Sequence, residues 1–341
     1  MVTIKQLAKM AGVSPTTIVN VLHGRTHKMK AETLQKISQI IKETKYVPNM
    51  GGRLLANYGS RIIGVIINHE KRDTINIAQG PFFSEIIGGL EYHIRRNGYF
   101  MMLYAAANVE ESLRMAGAWN LEGLIVLGCH MEECSQFLNN TSIPLVFIDS
   151  YFLNNKLPYA CIGLKDREGG YLMTKYLIDK GHRKICFLTV GSLERGVFYE
   201  RYCGCKQAMK EAGLPFDKCD YISFPSELSQ AQNFLLDFMA GRMKKYTALF
   251  FAFDLLALRA ISFFQHNGIK IPEDISVCGF DGNIFSDIFR PSLTTIRQNV
   301  QDKANGAVSM LMQLIKKENP KKRIIRLNVS VSDGESVRDI R

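Results

Sequence analysis

Residues 3–24 read TIKQLAKMAGVSPTTIVNVLHG. Ile4, Leu7, Ala8 and Ala11 recur at i, i+3, i+4 and i+7, the apolar face of one short helix. Gly12 ends it. Ser14 suits an N-cap and Pro15 the first position of a second helix. Val13 and Ile18 are spaced as a hydrophobic staple, and Ile18, Val21 and Leu22 turn back toward the first helix. Two short helices across a tight glycine turn form a helix-turn-helix, whose second helix can enter the DNA major groove. A packing-only helical hairpin is the competing reading.

Charge separates the two readings. The chain has 341 residues and a formal net charge of +11, enough length for two or three domains. Residues 1–61 hold ten Lys or Arg against two Glu, so most of the excess lies beside the motif. Such a concentration is the footprint of a phosphate-binding surface. The first helix is preceded by no secretory signal, and no uncharged apolar run reaches membrane-spanning length. The eight cysteines lack paired metal-ligand spacing and read as small core residues, which fits a reducing cytoplasm. Neither a metal site nor a cofactor is expected.

Beyond the motif, a third amphipathic helix runs over 34–44. Asn49 can cap one more short helix over 50–56, weakened by Gly51 and Gly52, before a linker over 57–60. From residue 61, apolar strands alternate with helices in two successive series, indicating parallel sheets covered on both faces. The two lobes should face a shared cleft, because α/β sheets bind ligands outside the carboxyl ends of their strands. Phe253, Asp254, Asp281, Arg195 and Arg201 follow such ends.

Enzymatic signatures are thin. Gly191-x4-Gly196 follows a strand but is succeeded by Val197-Phe198 where a phosphate loop needs Lys-Ser/Thr. Neither a Gly-x-Ser-x-Gly elbow nor a His-Glu-x-x-His pair is present. Asp254 and Asp281 could form an acid/base pair, but as polar anchors for a hydroxylated ligand they need no assumption about chemistry, and that reading is favoured. His182 reads as structural.

The sequence closely resembles the lactose-repressor/galactose-repressor family of bacterial transcription regulators. The resemblance rests on Thr3-Ile4-Lys5, Ala11-Gly12-Val13-Ser14, Val21-Leu22-x-Gly24, Tyr46-x-Pro48-Asn49, Pro81-Phe82-Phe83-x-Glu85, Gly181-His182-Arg183, Gly279-Phe280-Asp281 and Leu293-Thr294-Thr295-x-Arg297-Gln298. It implies an α-helical helix-turn-helix DNA-binding domain over 1–48 and a hinge helix and linker over 49–60. An α/β two-lobed effector core, periplasmic-binding-protein-like with parallel sheets, would fill 61–341. Lobe 1 would take about 61–160 and 292–320, lobe 2 about 161–291 and 321–341. The implied protein is a repressor whose affinity for a double-stranded operator is set by a small molecule, sugar-like or alternatively a purine. It would be a homodimer, with a tetramer left open, away from membranes.

By the same resemblance, DNA contacts fall on Thr3, Ser14, Pro15, Thr16, Thr17, Asn20, His23, Arg25, Asn49, Arg53 and the minor-groove wedge Leu55. Effector contacts fall on Phe82, Phe83, Arg195, Arg201, Phe250, Phe253, Asp254 and Asp281. Asn20 stands where the family commonly has Arg, and Phe253 where many relatives carry Asn. The first departure puts the usual operator in doubt; the second makes the pocket more apolar.

Overall fold

In the computed structural model, residues 2–22, 26–27, 29–46, 59–68, 80–129, 131–151, 158–191, 195–225 and 228–341 are described. The chain divides into two units, residues 1–60 and 61–341.

In the first unit, α1 (Ile4–Ala11), α2 (Pro15–Leu22) and α3 (Ala31–Glu43) close around Leu7, Ala8, Ala11, Ile18 and Ile37. Thr3 caps α1 in a reciprocal box: its Oγ1 accepts from Gln6 N at 3.3 Å, and its N donates to Gln6 Oε1 at 2.8 Å. Gly12 takes φ +71°, which lets the chain reverse within three residues. Ser14 Oγ then accepts from Thr17 N at 3.2 Å and starts α2. Val13 and Ile18 share the same apolar cluster, as the staple spacing requires. Helix α3 begins three residues before the expected 34. The expected helix over 50–56 lies outside the described residues.

Among the described residues, the second unit contains two six-stranded sheets. The first builds from β1 (Ile62–Asn68), α4 (Pro81–Arg96), β2 (Phe100–Ala106), α5 (Val109–Ala118), β3 (Gly123–Leu127), α6 (Met131–Asn140), β4 (Leu145–Ile148) and β5 (Cys161–Leu164). The second builds from α7 (Asp166–Asp179), β6 (Ile185–Val190), α8 (Val197–Glu211), β7 (Tyr221–Phe224), α9 (Leu228–Ala240), β8 (Ala248–Phe251), α10 (Asp254–His266), β9 (Ser276–Asp281), α11 (Ile284–Ile288) and β10 (Thr294–Arg297). Helix α12 (Val300–Ile315) and strands β11 (Ile324–Leu327) and β12 (Ser330–Ser332) follow. The central strands β3, β4 and β8 are apolar and buried on both sides because both faces are covered, while the edge strands β2, β11 and β12 are partly exposed. Ile63 and Val65 of β1 meet α4 and α12, while Ile66 meets α5 and α6.

Strand order corrects the expected lobe boundaries. The first sheet runs β11-β5-β4-β3-β1-β2, so residues 161–164 belong to lobe 1 rather than lobe 2. Strand β5 pairs with β4, Phe147 opposite Cys161, and the chain crosses only afterwards. The second sheet runs β12-β10-β9-β8-β6-β7, so residues 294–297 belong to lobe 2, and of the segment 292–320 expected in lobe 1 it is α12 that packs there. The stretch 323–331, expected as one strand, divides between the sheets. Its first half pairs in parallel with β5, its second antiparallel with β10. Three crossings therefore join the lobes: 164–166, 297–300 and 327–330.

Candidate functional site

Helix α2 in the N-terminal unit carries no charged residue. Its buried side is Ile18. Thr16 and Asn20, four apart, share another side, with Thr16 exposed and Asn20 partly so. Neither side chain has a hydrogen-bond partner among the described residues. Thr3, Ser14 and Pro15 are exposed as well. Thr3 and Ser14 are already occupied as caps, and Ser14 Oγ lies 2.9 Å from Thr17 Oγ1. Lys5, Lys9, Lys30, Lys36, Lys42 and Lys45 are all exposed on this unit and supply the positive surface. His23, Arg25, Asn49, Arg53 and Leu55 lie outside the described residues.

Between the lobes, Arg201 is the centre of a buried polar network. It reaches that place because α7 and α8 pack with almost no spacing. A Cβ on Gly170 would stand 2.0 Å from Arg201 O, and one on Gly204 1.9 Å from Arg167 O. The guanidinium donates from Nε to Asp166 Oδ1 at 2.8 Å and from Nη1 to Ala252 O at 2.6 Å. It lies 3.5 Å from the centre of the Phe280 ring, and Nη1 is 3.8 Å from Asp281 Oδ1. Tyr151 donates its hydroxyl hydrogen to the other oxygen of Asp166.

From Asp281 the network runs to lobe 1. Gln298 Nε2 donates to Asp281 Oδ1 at 2.8 Å, and Lys303 Nζ donates to Gln298 Oε1 at 2.9 Å. The same ammonium donates to both oxygens of Asp149, at 2.7 and 2.9 Å, and lies 4.9 Å from the Phe82 ring centre. Asp149 closes β4 and Asp281 closes β9, so both carboxylates stand at strand carboxyl ends, one per lobe. Both hold positive φ, +55° and +139°, strained for non-glycine residues and retained where surrounding structure fixes a functional geometry. Burial pushes the Asp281 carboxyl up to about 7, with Asp254 adding to the rise; Arg201, Lys303 and the Gln298 hydrogen bond pull the other way. Burial also works against the charge on Arg201, but Asp166 and Asp281 outweigh it and raise its pKa.

The network gathers some of the expected effector residues and not others. Arg201, Asp281, Phe82 and Phe253 border it. Phe253 stacks on Phe198 at 5.5 Å and 20°, and Phe83 meets Phe82 edge-on at 5.5 Å. Arg195 is exposed and crosses to lobe 1, its Nη1 3.8 Å from Met131 Sδ. Phe250 and Asp254 do not line a cleft. Phe250 has no exposed surface and packs on Phe187 inside lobe 2. Asp254 is equally buried; its oxygens accept from Gly282 N, Asn283, Ser286 Oγ and Thr295 Oγ1, tying α10 to the β9–α11 turn. That saturation also removes it from acid/base work. His182 fits its structural reading: buried, with Nδ1 2.9 Å from Thr247 Oγ1 and Nε2 3.2 Å from Arg338 O.

Sequence reading missed Asp149, Asp166, Tyr151, Phe198, Gln298 and Lys303. Two carried a signal. Asp149 follows a strand of lobe 1, where the carboxyl-end rule applies as it does to Asp281. Lys303 shares a helical face with Val300, Ala304, Ala307 and Leu311, all buried, and a lysine there needs a buried acid.

A basic helix-turn-helix unit in one chain with a two-lobed parallel α/β core defines a ligand-responsive DNA-binding regulator. Residues 3–49 match the model for bacterial regulatory proteins, lacI family, and residues 174–337 that for the periplasmic binding protein-like domain. The HTH-type transcriptional repressor PurR of Vibrio parahaemolyticus is 32% identical over 346 residues, covering 100% of both chains. PurR of Pasteurella multocida is 33% identical over 348 residues, covering 99% of each. Among solved structures, the Lac repressor dimer bound to operator and the anti-inducer ONPF aligns with a TM-score of 0.82 at 23% identity, over 99% of both chains. The CelR–cellobiose complex aligns at 0.71 and 21% identity, over 98% of this chain and 100% of that one. The chain belongs to the lacI family of bacterial regulatory proteins. It is a DNA-binding transcriptional repressor under small-molecule control, and not an enzyme.

Proposed function

We propose that the effector is a small ring held between the lobes by Arg201 and Asp281, and that it acts by exchanging partners within the interlobe network. The observation that carries this reading is the path Asp281–Gln298–Lys303–Asp149, which runs from the end of one sheet to the end of the other. A ligand group bonded to Asp281 competes with Gln298, so occupancy alters how the lobes are tied. A ligand shifts an equilibrium only by such differential contacts. The stacked Phe198–Phe253 pair favours a flat heterocycle of purine type. Relatives named PurR agree with that choice. A sugar is the second reading, favoured by the array of Asp149, Gln298 and Asp281, which suits vicinal hydroxyls.

On the DNA side, Thr16 and Asn20 read base edges, with Pro15 beside them, and Thr3, Ser14 and Thr17 approach the backbone. The protein acts in the cytoplasm as a homodimer. Support for self-association comes from Ile284, Phe285, Ile288 and Phe289, which expose 67%, 42%, 59% and 39% of their surface in one short stretch. The test is operator affinity across purines, pentoses, hexoses and their phosphates, for wild type and Asp281→Ala. One compound should change wild-type affinity and leave the variant's unchanged. Equal modulation of both proteins would displace the effector from this site.

A further inference from the structure

Behind the cleft, a recess of about 450 Å3 opens between the start of α7, helix α8 and strand β11. Its walls include Tyr151 and Arg326 but none of Arg201, Asp281, Phe82, Phe253 or Lys303, so it is a different space from the effector cleft. The charges around it are mostly matched. Arg167 Nε meets Glu200 at 2.9 Å, Lys165 meets Glu168 at 3.2 Å, and Asp166 is taken up by Arg201 and Tyr151.

Arg326 is the exception. Its Nη1 donates to Cys161 Sγ at 3.3 Å and its Nη2 to Ser150 O at 3.0 Å, and its guanidinium lies 4.7 Å from the Tyr151 ring centre. Among the described residues no carboxylate forms a salt bridge with it. The recess is lined by the carboxylates Asp166, Glu168 and Glu200 beside Lys165, Arg167 and Arg326, and of these cations Arg326 is the one whose direct hydrogen-bond acceptors are neutral, so its remaining N–H groups and planar fork are left for an incoming oxyanion.

We propose that this recess is a second ligand site, which takes a small dianion of the phosphate-ester or dicarboxylate kind on Arg326. The site borders two of the three crossings between the lobes, at residues 164–166 and at the end of β11. It also shares a carboxylate with the cleft: Asp166 accepts from Tyr151 on the recess side and from Arg201 on the cleft side. An anion that draws Tyr151 or Arg326 toward itself changes the partner that orients Arg201. Coupling between the two ligands is then reciprocal.

The test is isothermal titration of the full-length protein with inorganic phosphate, glycerol phosphate and succinate at constant ionic strength. Saturable millimolar or tighter binding is expected for wild type. Arg326→Gln should weaken it about tenfold, the loss of one charge-assisted contact, with Arg326→Lys in between. Gln207→Glu places a negative charge at the exposed rim without disturbing the core, and should weaken binding even if the Arg326 variants fold poorly. Asp281→Asn, in the cleft, should leave anion binding within twofold. The preference between the phosphates and succinate identifies the anion class. Absence of saturable binding by all three anions would overturn the proposal, as would loss in Asp281→Asn with retention in Arg326→Gln. The effector assignment is tested by Asp281 variants in the cleft and the anion site by Arg326 variants in the recess, so the two readings fail separately.

Discussion

On α2 of the N-terminal unit, Thr16 and Asn20 stand without hydrogen-bond partners among the described residues, whereas Arg201 in the cleft is held by Asp166, Ala252 and the Phe280 ring. The difference follows from solvent. A polar side chain at the surface is satisfied by water and costs little while it waits for a base edge. A buried charge has no such alternative and must be paired within the protein. On the proposed assignments, the α2 face therefore gains contacts by addition, and the interlobe cleft by exchange. A substitution of Thr16 or Asn20 should act on binding alone, whereas Ile18 on the same helix belongs to the core; one in the cleft should act on the fold as well.

The sharpest way to break this comparison is Arg201→Ala. It leaves Asp166, fully buried, with Tyr151 as its remaining side-chain donor. Removing one partner of a buried ion pair costs about 3–5 kcal/mol. Urea unfolding of the second unit should show a loss of that size. Arg201→Lys should lose less, because the charge is kept and the fork is not. A loss below about 1 kcal/mol, the scale of an exposed pair, would mean that the cleft charges are as dispensable as surface ones.

A smaller effect is expected from Asp281→Asn, and it depends on pH. In the unfolded chain the carboxyl titrates near 3.8, and burial lifts it to about 7 in the folded protein. The folded state therefore holds the proton more tightly. The stability gained from that proton is complete below pH 4 and is lost as pH rises through 7, at no more than about 1.4 kcal/mol per pH unit for one group. Wild type should lose stability across this window, and the asparagine variant should lose less. Melting curves of both proteins between pH 5 and 8 provide the check; parallel curves would show that Asp281 is ionised throughout.

The same contrast explains what was legible in the sequence. The helix-turn-helix is written in contiguous residues: Thr3, Gly12, Ser14 and the spacing of Leu7, Ala11 and Ile18 each act within a few positions. The cleft network joins Asp149, Arg201, Asp281, Gln298 and Lys303, and spacing along the chain does not show that these meet. Strand identity was readable because both faces of each sheet are covered. Sheet membership was not, for the same reason: residues 161–164 and 323–331 carry the apolar pattern of either lobe. Position after a strand puts Asp254 near the cleft and the family resemblance puts Phe250 there, but an inward side chain and an outward one differ by a single residue at the end of a strand. Helix α11, five residues long, is too short to show a period.

The smallest effect sharpens the other side of the comparison. Asn20 is uncharged, partly exposed and outside the apolar cluster that holds α1, α2 and α3 together. Asn20→Ala should leave the melting of the N-terminal unit nearly unchanged, since surface substitutions away from caps and cores shift stability within about 0.5 kcal/mol. It should still weaken the best operator by about 1–3 kcal/mol, because an amide can pair with adenine through two hydrogen bonds and a methyl group cannot. On random DNA the loss should be far smaller, and the salt dependence should not change, since no cation has been removed. Binding measured on a selected operator and on random duplex, each at two salt concentrations, separates the possibilities. Equal losses on both DNAs would place Asn20 against the phosphate backbone and leave Thr16 as the reader on this helix. A loss confined to the operator with melting unchanged is what addition without exchange requires.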